Sequence, residues 1–420
     1  MALKRLFRSV LLSAAVALLV ILITSSSFAG RKITLVYATW HSGESLQEDL
    51  KRFAMFMEKN PDIEIQTLTA PYGEYPDKML TMFAGGNAPD TMAIMDEQLG
   101  DLLVRNVLTP LDDYLNFDDF YSQKASVDAF LWKGRLYTLT WTAEPIIFAY
   151  NKTLFNKAGV SYPTDDWMWS DFLEAAKKLT IRDQRGVATQ FGANVYALTA
   201  EGELSWLPYL WQNGTDMLSD NNTRQIISDN SKAIESIQWL LDLYNTHKVT
   251  PRPGEAQEGM DFLTGKVAMS PNMGAWDFSS LRGNPYVDLG LTRSMTAYRG
   301  GPRSDFAWMH KAAVPALAKN KKEAVLFIKY LISHETQKWL SDNQITTSVL
   351  KSVVSADPWF KKVREQLITA GGSPILPGFW AFLDFCSQEQ QKLLLGRTTP
   401  REFSRSIGNY LNSQVLPMVR

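Results

Sequence analysis

The chain has 420 residues, too many for one ordinary core, so two domains are the starting expectation. Apolar residues make up 45% and charged residues 21%, a globular composition that argues against extensive disorder. A formal net charge of −1 argues against the basic face that a nucleic-acid binder needs.

The first element is a targeting segment. "MALKRLFRS" carries Lys4, Arg5 and Arg8, an apolar run follows from Val10 to Ile23, and "TSSSFAG" sets Ser27 and Ala29 around Phe28. A positive start, a short apolar run and a small-x-small site predict a secretory signal over 1–29, cut after Ala29. The run is shorter than the ~20 residues a spanning helix needs. Cleavage removes three cations and no acid, so the mature chain is more acidic still. Cys386 is the one cysteine, so no internal disulfide can form and no cysteine follows the cleavage site to take a lipid. Its setting, "FWAFLDFCSQ", predicts packing rather than reactivity.

Strand and helix then alternate. "KITLVYATW" (32–40) is β-branched and apolar, and "ESLQEDLKRFAMFMEKN" (44–60) has Leu46, Leu50, Phe53 and Met57 at helical spacing. "PDIEIQTLTA" (61–70) alternates at Ile63 and Ile65, "EYPDKMLTMFAGG" (74–86) is a helix closed by glycines, and "PDTMAIMD" (89–96) is a third strand. A βαβαβ series predicts a parallel sheet with right-handed crossovers, which binds ligands at the carboxyl ends of its strands. That places Trp40, Tyr72 or Tyr75, and Asp96 or Glu97 near one mouth. Further along, "SKAIESIQWLLDLYNTH" (231–247) is amphipathic, and "KVAMS" (266–270), "VDLGLT" (287–292) and "KAAVPAL" (311–317) are strands. "NKKEAVLFIKYLI" (320–332) opens on Asn320 with Glu323 three residues on, a capping-box pattern.

No phosphate-binding glycine loop or nucleophile-elbow motif is present, and the four histidines, His41, His247, His310 and His334, lack metal-ligand spacing. No catalytic residue, metal or cofactor is expected, although paired carboxylates of the glycosidase kind stay open for a chain with this many acids. Aromatic residues are abundant, with 13 tryptophans, 15 tyrosines and 21 phenylalanines. Trp40, Trp141, Trp211, Trp276, Trp308 and Trp380 lie in turn-like surroundings. Such rings can stack on the C–H face of a pyranose while carboxylates and amides take its hydroxyl protons. Packing is the competing explanation for each of them.

Ordered motifs extend over nearly the whole mature chain. They include "FMEKNPDIEIQ" (56–66), "GGNAPDTMAIMDEQLGDLLVRNVLTPLDDYL" (85–115), "DAFLWKGRLYTLTW" (128–141), "IIFAYNKTLFNKAGV" (146–160), "WMWSDFLEAAKKLT" (167–180), "LWQNGTDML" (210–218), "FLTGKVAMSPNMGAW" (262–276), "AVPALAKNKKEAVLFIKYL" (313–331) and "LLLGRTTPREF" (393–403). In this order they resemble the extracellular solute-binding proteins of ABC importers, the carbohydrate-binding type that includes maltose- and glycerol-phosphate-binding proteins.

The resemblance implies an α/β fold of type II with two lobes, each a mostly parallel sheet flanked by helices, and a ligand cleft between them. The lobes would be 30–143 plus 305–350, and 144–304 plus 351–420. It implies a non-enzymatic role: a monomer, free in the periplasm, that binds a mono- or oligosaccharide, closes by hinge motion and delivers it to the importer's transmembrane permease. Glu144 matches an acid that meets sugar hydroxyls, and Trp276 matches a stacking aromatic. Trp40, His41, Glu44, Tyr75, Asn87, Asp96 and Glu97 match first-lobe contacts, while Trp141, Trp211, Arg303, Trp308 and Trp380 match more loosely. "DFAWMH" (305–310) stands where many members carry a glycine pair, so Trp308 or His310 would fill space that is backbone elsewhere. The alternative ligand is glycerol-3-phosphate or a related polyol: "WHS" (40–42) is similar to that subgroup, and Arg303 would be its phosphate partner. A secreted glycosidase using Glu144 is the remote alternative.

Overall fold

The computed structural model describes residues 32–112, 131–199, 204–219, 222–253 and 260–419. The expected signal segment, 1–29, lies outside the described residues.

The amino-terminal elements follow the alternation. β1 (Ile33–Thr39) and β2 (Ile63–Thr69) flank α1 (Gly43–Lys59), and α2 (Tyr75–Ala84) leads to β3 (Thr91–Ile94) and α3 (Asp96–Val104). β1 pairs in parallel with β2 from Ile33↔Ile63 to Thr39↔Thr69, and with β3 at Tyr37↔Thr91. The buried face of α1 differs from the expected stripe. It consists of Asp49, Arg52, Phe53 and Phe56, while Leu50 is exposed. The helix is turned so that an ion pair, rather than a leucine, faces inward beside the site described below.

Two long strands leave this sheet together. β4 (Thr138–Pro145) runs antiparallel to β8 (Asp305–Ala313), which also pairs with β3, giving the order β2-β1-β3-β8-β4. "KAAVPAL" is therefore only the end of a strand that begins at Asp305 and stops at Ala313. Trp308 and His310 lie within that strand, not ahead of it. Beyond β4, β5 (Ile147–Asn151) enters a second sheet, followed by α4 (Lys152–Ala158) and α5 (Trp169–Leu179). Asn151 caps α4 by accepting from the Thr153 N–H, and Gly159 closes it with φ +64°, a left-handed position that glycine adopts without strain.

The second sheet has the order β6-β5-β7, with β6 (Met269–Met273) and β7 (Leu289–Thr292) both antiparallel to β5. A mostly parallel sheet was expected in each lobe. The first three strands are parallel because each returns through a helix. In the second sheet β5 lies more than a hundred residues from β6 and β7, and no short crossover constrains their direction relative to it.

The buried side chains form separate cores. One gathers the β1–β3 sheet, α1, α3 and α6 (Lys321–Leu331). Tyr37, Phe53, Phe56 and Phe327 meet edge to face in it, with ring centroids 5.1–5.7 Å apart. Fully burying such a ring contributes roughly 1.5–3 kcal/mol. A second core gathers β5, α5 and the carboxy-terminal helices, including the fully buried Cys386. A third, smaller core packs Phe278 and Phe360 beside β5. The expected capping box at Asn320 does not form. The Asn320 amide instead donates to the Asp90 carboxylate (3.0 Å) and the Thr34 carbonyl (3.4 Å), tying the start of α6 to the sheet.

Candidate ligand-binding site

The site lies where β4 and β8 bridge the cores. At the end of β1 the chain turns through Trp40 and His41, whose N–H donates to Thr39 Oγ1 (3.1 Å). His41 Nδ1 lies 2.8 Å from Asp49 Oδ2, and Arg52 bonds to the other oxygen of that carboxylate. The Arg52 guanidinium rests 4.3 Å from the centroid of Trp141. Trp141 marks a bulge in β4: Thr142 faces His310 across the ladder and Thr140 faces Lys311, leaving one extra residue between them. Such bulges re-aim a side chain. Two pairs further along, Glu144 stands opposite Trp308.

Asp96 and Glu97 open α3. The Asp96 carboxylate forms an ion pair with Lys311, which is fully buried beneath it on β8. From the other side, β6 ends in Gly274-Ala275-Trp276. A Cβ on Gly274 would sit 2.1 Å from the indole of Trp276, so only glycine lets that ring fold back over the turn. Trp276 is 49% exposed and belongs to no core.

These elements enclose three cavities that share walls. A front cavity of about 350 Å³ is lined by Trp40, Tyr72, Asp96, Glu97, Trp308 and His310, among others. A rear cavity of about 530 Å³ lies toward His41, Glu44, Arg52, Trp141, Thr142 and Arg282. A side cavity of about 320 Å³ is lined by Tyr196, Ser205, Asn272 and Asp277. Each volume falls within the range of ordinary small-molecule sites. Trp276 borders all three, and Glu144 and His310 border both front and rear, so these residues form the neck.

The walls desolvate the Glu144 carboxyl and raise its pKa from 4.5 to about 7, with nearby His41 pulling the other way. Part of its side chain still faces the cleft. Burial lowers His310 to about 4, with His41 and Arg52 pushing in the same direction and Asp49 opposing, so this imidazole is neutral at physiological pH. Asp277 is also raised by desolvation, against one hydrogen bond from the Gly274 N–H. The arrangement offers ring faces, hydroxyl acceptors and a desolvated acid. Among the described residues, no group of three or more His, Cys, Asp or Glu could hold a metal ion.

The family model described as bacterial extracellular solute-binding protein matches residues 37–338. The chain belongs to this family. As a solute-binding protein it has relatives of similar length. A Brucella abortus protein named only as a binding protein is 23% identical over 395 residues, covering 91% of this chain and 92% of that one. A Listeria monocytogenes ABC substrate-binding protein, solved in complex with cycloalternan, is 24% identical with a TM-score of 0.75, covering 91% of this chain and 98% of that one. A cyclic α-maltosyl-1,6-maltose binding protein from Arthrobacter globiformis is 19% identical with a TM-score of 0.76 and the same coverage. The structural likeness shows the fold: the type II architecture of two lobes around a cleft. No helix among the described residues is long and apolar enough to cross a membrane.

In this solute-binding protein the expected site residues fall into two groups. Trp40, Asp96, Glu97, Glu144, Trp276 and Trp308 border the front cavity, and His41, Glu44 and Trp141 border the rear one. Five others line none of the three cavities. Tyr75 is fully buried beneath Trp40, its hydroxyl donating to the carbonyls of Ala38 (3.1 Å) and Ala93 (2.8 Å). Asn87 is exposed on the loop after α2, where its amide donates to Gly85. Trp211 stacks parallel to Phe306 at 6.3 Å, and the Arg303 guanidinium bonds to the Ser294 carbonyl. Trp380 lies in α7 (Phe379–Leu394), partly exposed and lining none of the cavities. In place of Tyr75, its neighbour Tyr72 reaches the front cavity, which the strand-end argument had left open between the two. Ser205, Asn272 and Asp277 carried no sequence signal, because the chain turns that bring them to the cleft are set by packing.

Proposed function

We propose that this protein is the substrate-binding component of an ABC sugar importer. It takes a mono- or oligosaccharide into the cleft, closes around it by hinge motion and delivers it to the membrane permease without changing it chemically. The observation that carries this reading is the neck. Glu144, a carboxylate with no hydrogen-bonding partner among the described residues, sits where cavities bordered by Trp40, Trp276 and Trp308 meet. Tryptophan faces suit the C–H face of a pyranose, and an unpaired acid suits its hydroxyls, since site groups left unmatched by a wrong ligand are costly. The relatives solved with cycloalternan, or named for cyclic α-maltosyl-1,6-maltose, point to the same ligand class.

We place the lobes at 30–143 plus 305–350, and 144–304 plus 351–420, a division the buried cores support in the main, although Val353, Leu367 and Ile375 pack with the first core. Closure is a shift of the open–closed balance, driven only by contacts the ligand makes in the closed form. Glu144, Trp276, Trp40 and Trp308 are the contacts we place first. The signal segment would export the chain, and cleavage with no lipid-bearing cysteine would leave it a free periplasmic monomer. Glycerol-3-phosphate is disfavoured, because Arg303 is turned to the Ser294 carbonyl and no Arg or Lys among the described residues borders the front cavity.

A thermal-shift screen over mono-, di- and oligosaccharides, polyols and glycerophosphates tests the reading. A ligand at 100 times its Kd adds about 2.7 kcal/mol of stability. Silence from every carbohydrate sinks the proposed ligand class, and new reducing ends after incubation with oligosaccharides sink the claim that no chemistry occurs.

A further inference from the structure

The charges around the cleft narrow the ligand further. The front cavity is bordered by Asp96, Glu97 and Glu144 and the side cavity by Asp277, and among the described residues neither has a lysine or arginine on its wall. The rear cavity has two arginines, and both are committed. Arg52 bonds to Asp49 and lies over Trp141. Arg282 bonds to Asp357 at 2.6 Å and lies 4.7 Å from the centroid of Trp359. Lys311 is held beneath Asp96, His41 is held by Asp49, and His310 is buried and neutral. Glu144 at the neck, Glu44 at the rim and Asp277 opposite have no cationic partner among the described residues. Separately, Trp141 and Thr142, each only 3% exposed, border the rear cavity with an indole N–H and a hydroxyl that have no hydrogen-bond partner among the described residues. Buried groups of this kind are costly unless something polar meets them.

We propose that the ligand is a cationic sugar, a saccharide bearing a free amino group, whose ammonium sits against Glu144 at the neck while its rings lie in the flanking cavities. This rests on the sugar-binding reading and specifies the sugar. Closing the cleft would take Glu144 further from water, and nearby His41, already bonded to Asp49, compensates it only in part. A ligand ammonium does so directly, and the tryptophan faces beside it attract the same charge. A cleft of one sign also concentrates cationic ligands and repels anionic ones.

The proposal has a proton signature. With a pKa of about 7, Glu144 is partly protonated in the empty site at neutral pH, and an ammonium placed against it drives that proton off. The other titratable groups bordering the same cavities are His310, buried and neutral, His41, bonded to Asp49 with Arg52 behind it, Asp96, paired with Lys311, and Glu97 and Glu44 at the walls.

The test is isothermal titration of the mature protein with matched sugars: glucosamine oligomers, their N-acetylated forms and the corresponding neutral glucosides, with galacto- and malto-configured sets alongside. Each is run at about pH 6, a unit below the Glu144 pKa of about 7, where the sugar amine is charged and the carboxyl largely protonated, at low and high salt, and in buffers of different ionisation enthalpy. The free amine is expected to bind at least about tenfold tighter than its neutral partner, to lose affinity with salt and to release protons. In a Glu144→Gln variant whose melting confirms its fold, that preference should vanish. Neutral sugars binding as tightly as their amines, or a preference that survives in Glu144→Gln, overturns the proposal and leaves the sugar-binding reading intact. Silence from amines and neutral sugars together overturns both.

Discussion

Glu144→Gln should separate stability from binding in a direction set by pH. The folded protein holds the Glu144 proton more tightly than the unfolded chain, because the carboxyl is raised from 4.5 to about 7. Below pH 4.5 the acid is neutral in both states and imposes no penalty. Between 4.5 and 7 the unfolded chain ionises first, so the folded state loses stability as pH rises, and above 7 the loss is complete. At about 1.4 kcal/mol per unit, the full shift is worth on the order of 3 kcal/mol. Part of the side chain faces the cleft and its water, so we expect about 2 kcal/mol. Glutamine carries no proton to lose. The variant should match the parent near pH 4.5 and exceed it by about 2 kcal/mol at pH 8, a melting difference of a few degrees. Urea denaturation of both proteins across this range measures it. Titrations of the other groups are common to both proteins and largely cancel in the difference. The same variant should bind ligand more weakly at pH 8. Parallel stability curves across the range, or a variant less stable than the parent at pH 8, would refute the reasoning, since Glu144 would then have protein partners that favour its charge.

Trp276→Ala should lower affinity by about tenfold or more and leave the melting temperature nearly unchanged, since the half-exposed ring belongs to no core; a large loss of stability in calorimetry would make it structural. Tyr75→Phe should do the reverse, costing about 1–3 kcal/mol by leaving the Ala38 and Ala93 carbonyls short of a donor, with little change in affinity. Asp49→Asn should cost about 3–5 kcal/mol in chemical denaturation, because it leaves the buried Arg52 without its counter-charge. Phe327→Ala, in the aromatic cluster of the first core, should cost about 3–5 kcal/mol with the ligand Kd of the folded fraction unchanged.

The sequence by itself determined the local events. The β-branched run 33–39, the helix after it and the second β-branched run could only form a parallel unit, because a strand returning through a helix must run in the same direction. That unit delivers Trp40 to a strand end and Asp96 and Glu97 to a helix start, which is why these three were legible. Glu144 stood out as an acid placed just ahead of an apolar strand. What the sequence left open concerns contacts between distant segments. Whether Tyr72 or Tyr75 faced the cleft depended on the rotation of α2, and that rotation is set by two backbone carbonyls on neighbouring strands. The face of α1 was misjudged because Asp49 and Arg52 read as surface charges, yet they become buried partners once His41 and Trp141 arrive from elsewhere. Trp211 and Trp380 share the local character of Trp276, and only packing decides that Trp211 lies against Phe306 while Trp276 stands free over Gly274. The charge character of the cleft was likewise beyond sequence. Net charge counts every ion equally, whereas the field in the cleft depends on which cations are already paired, and pairing is a property of the fold.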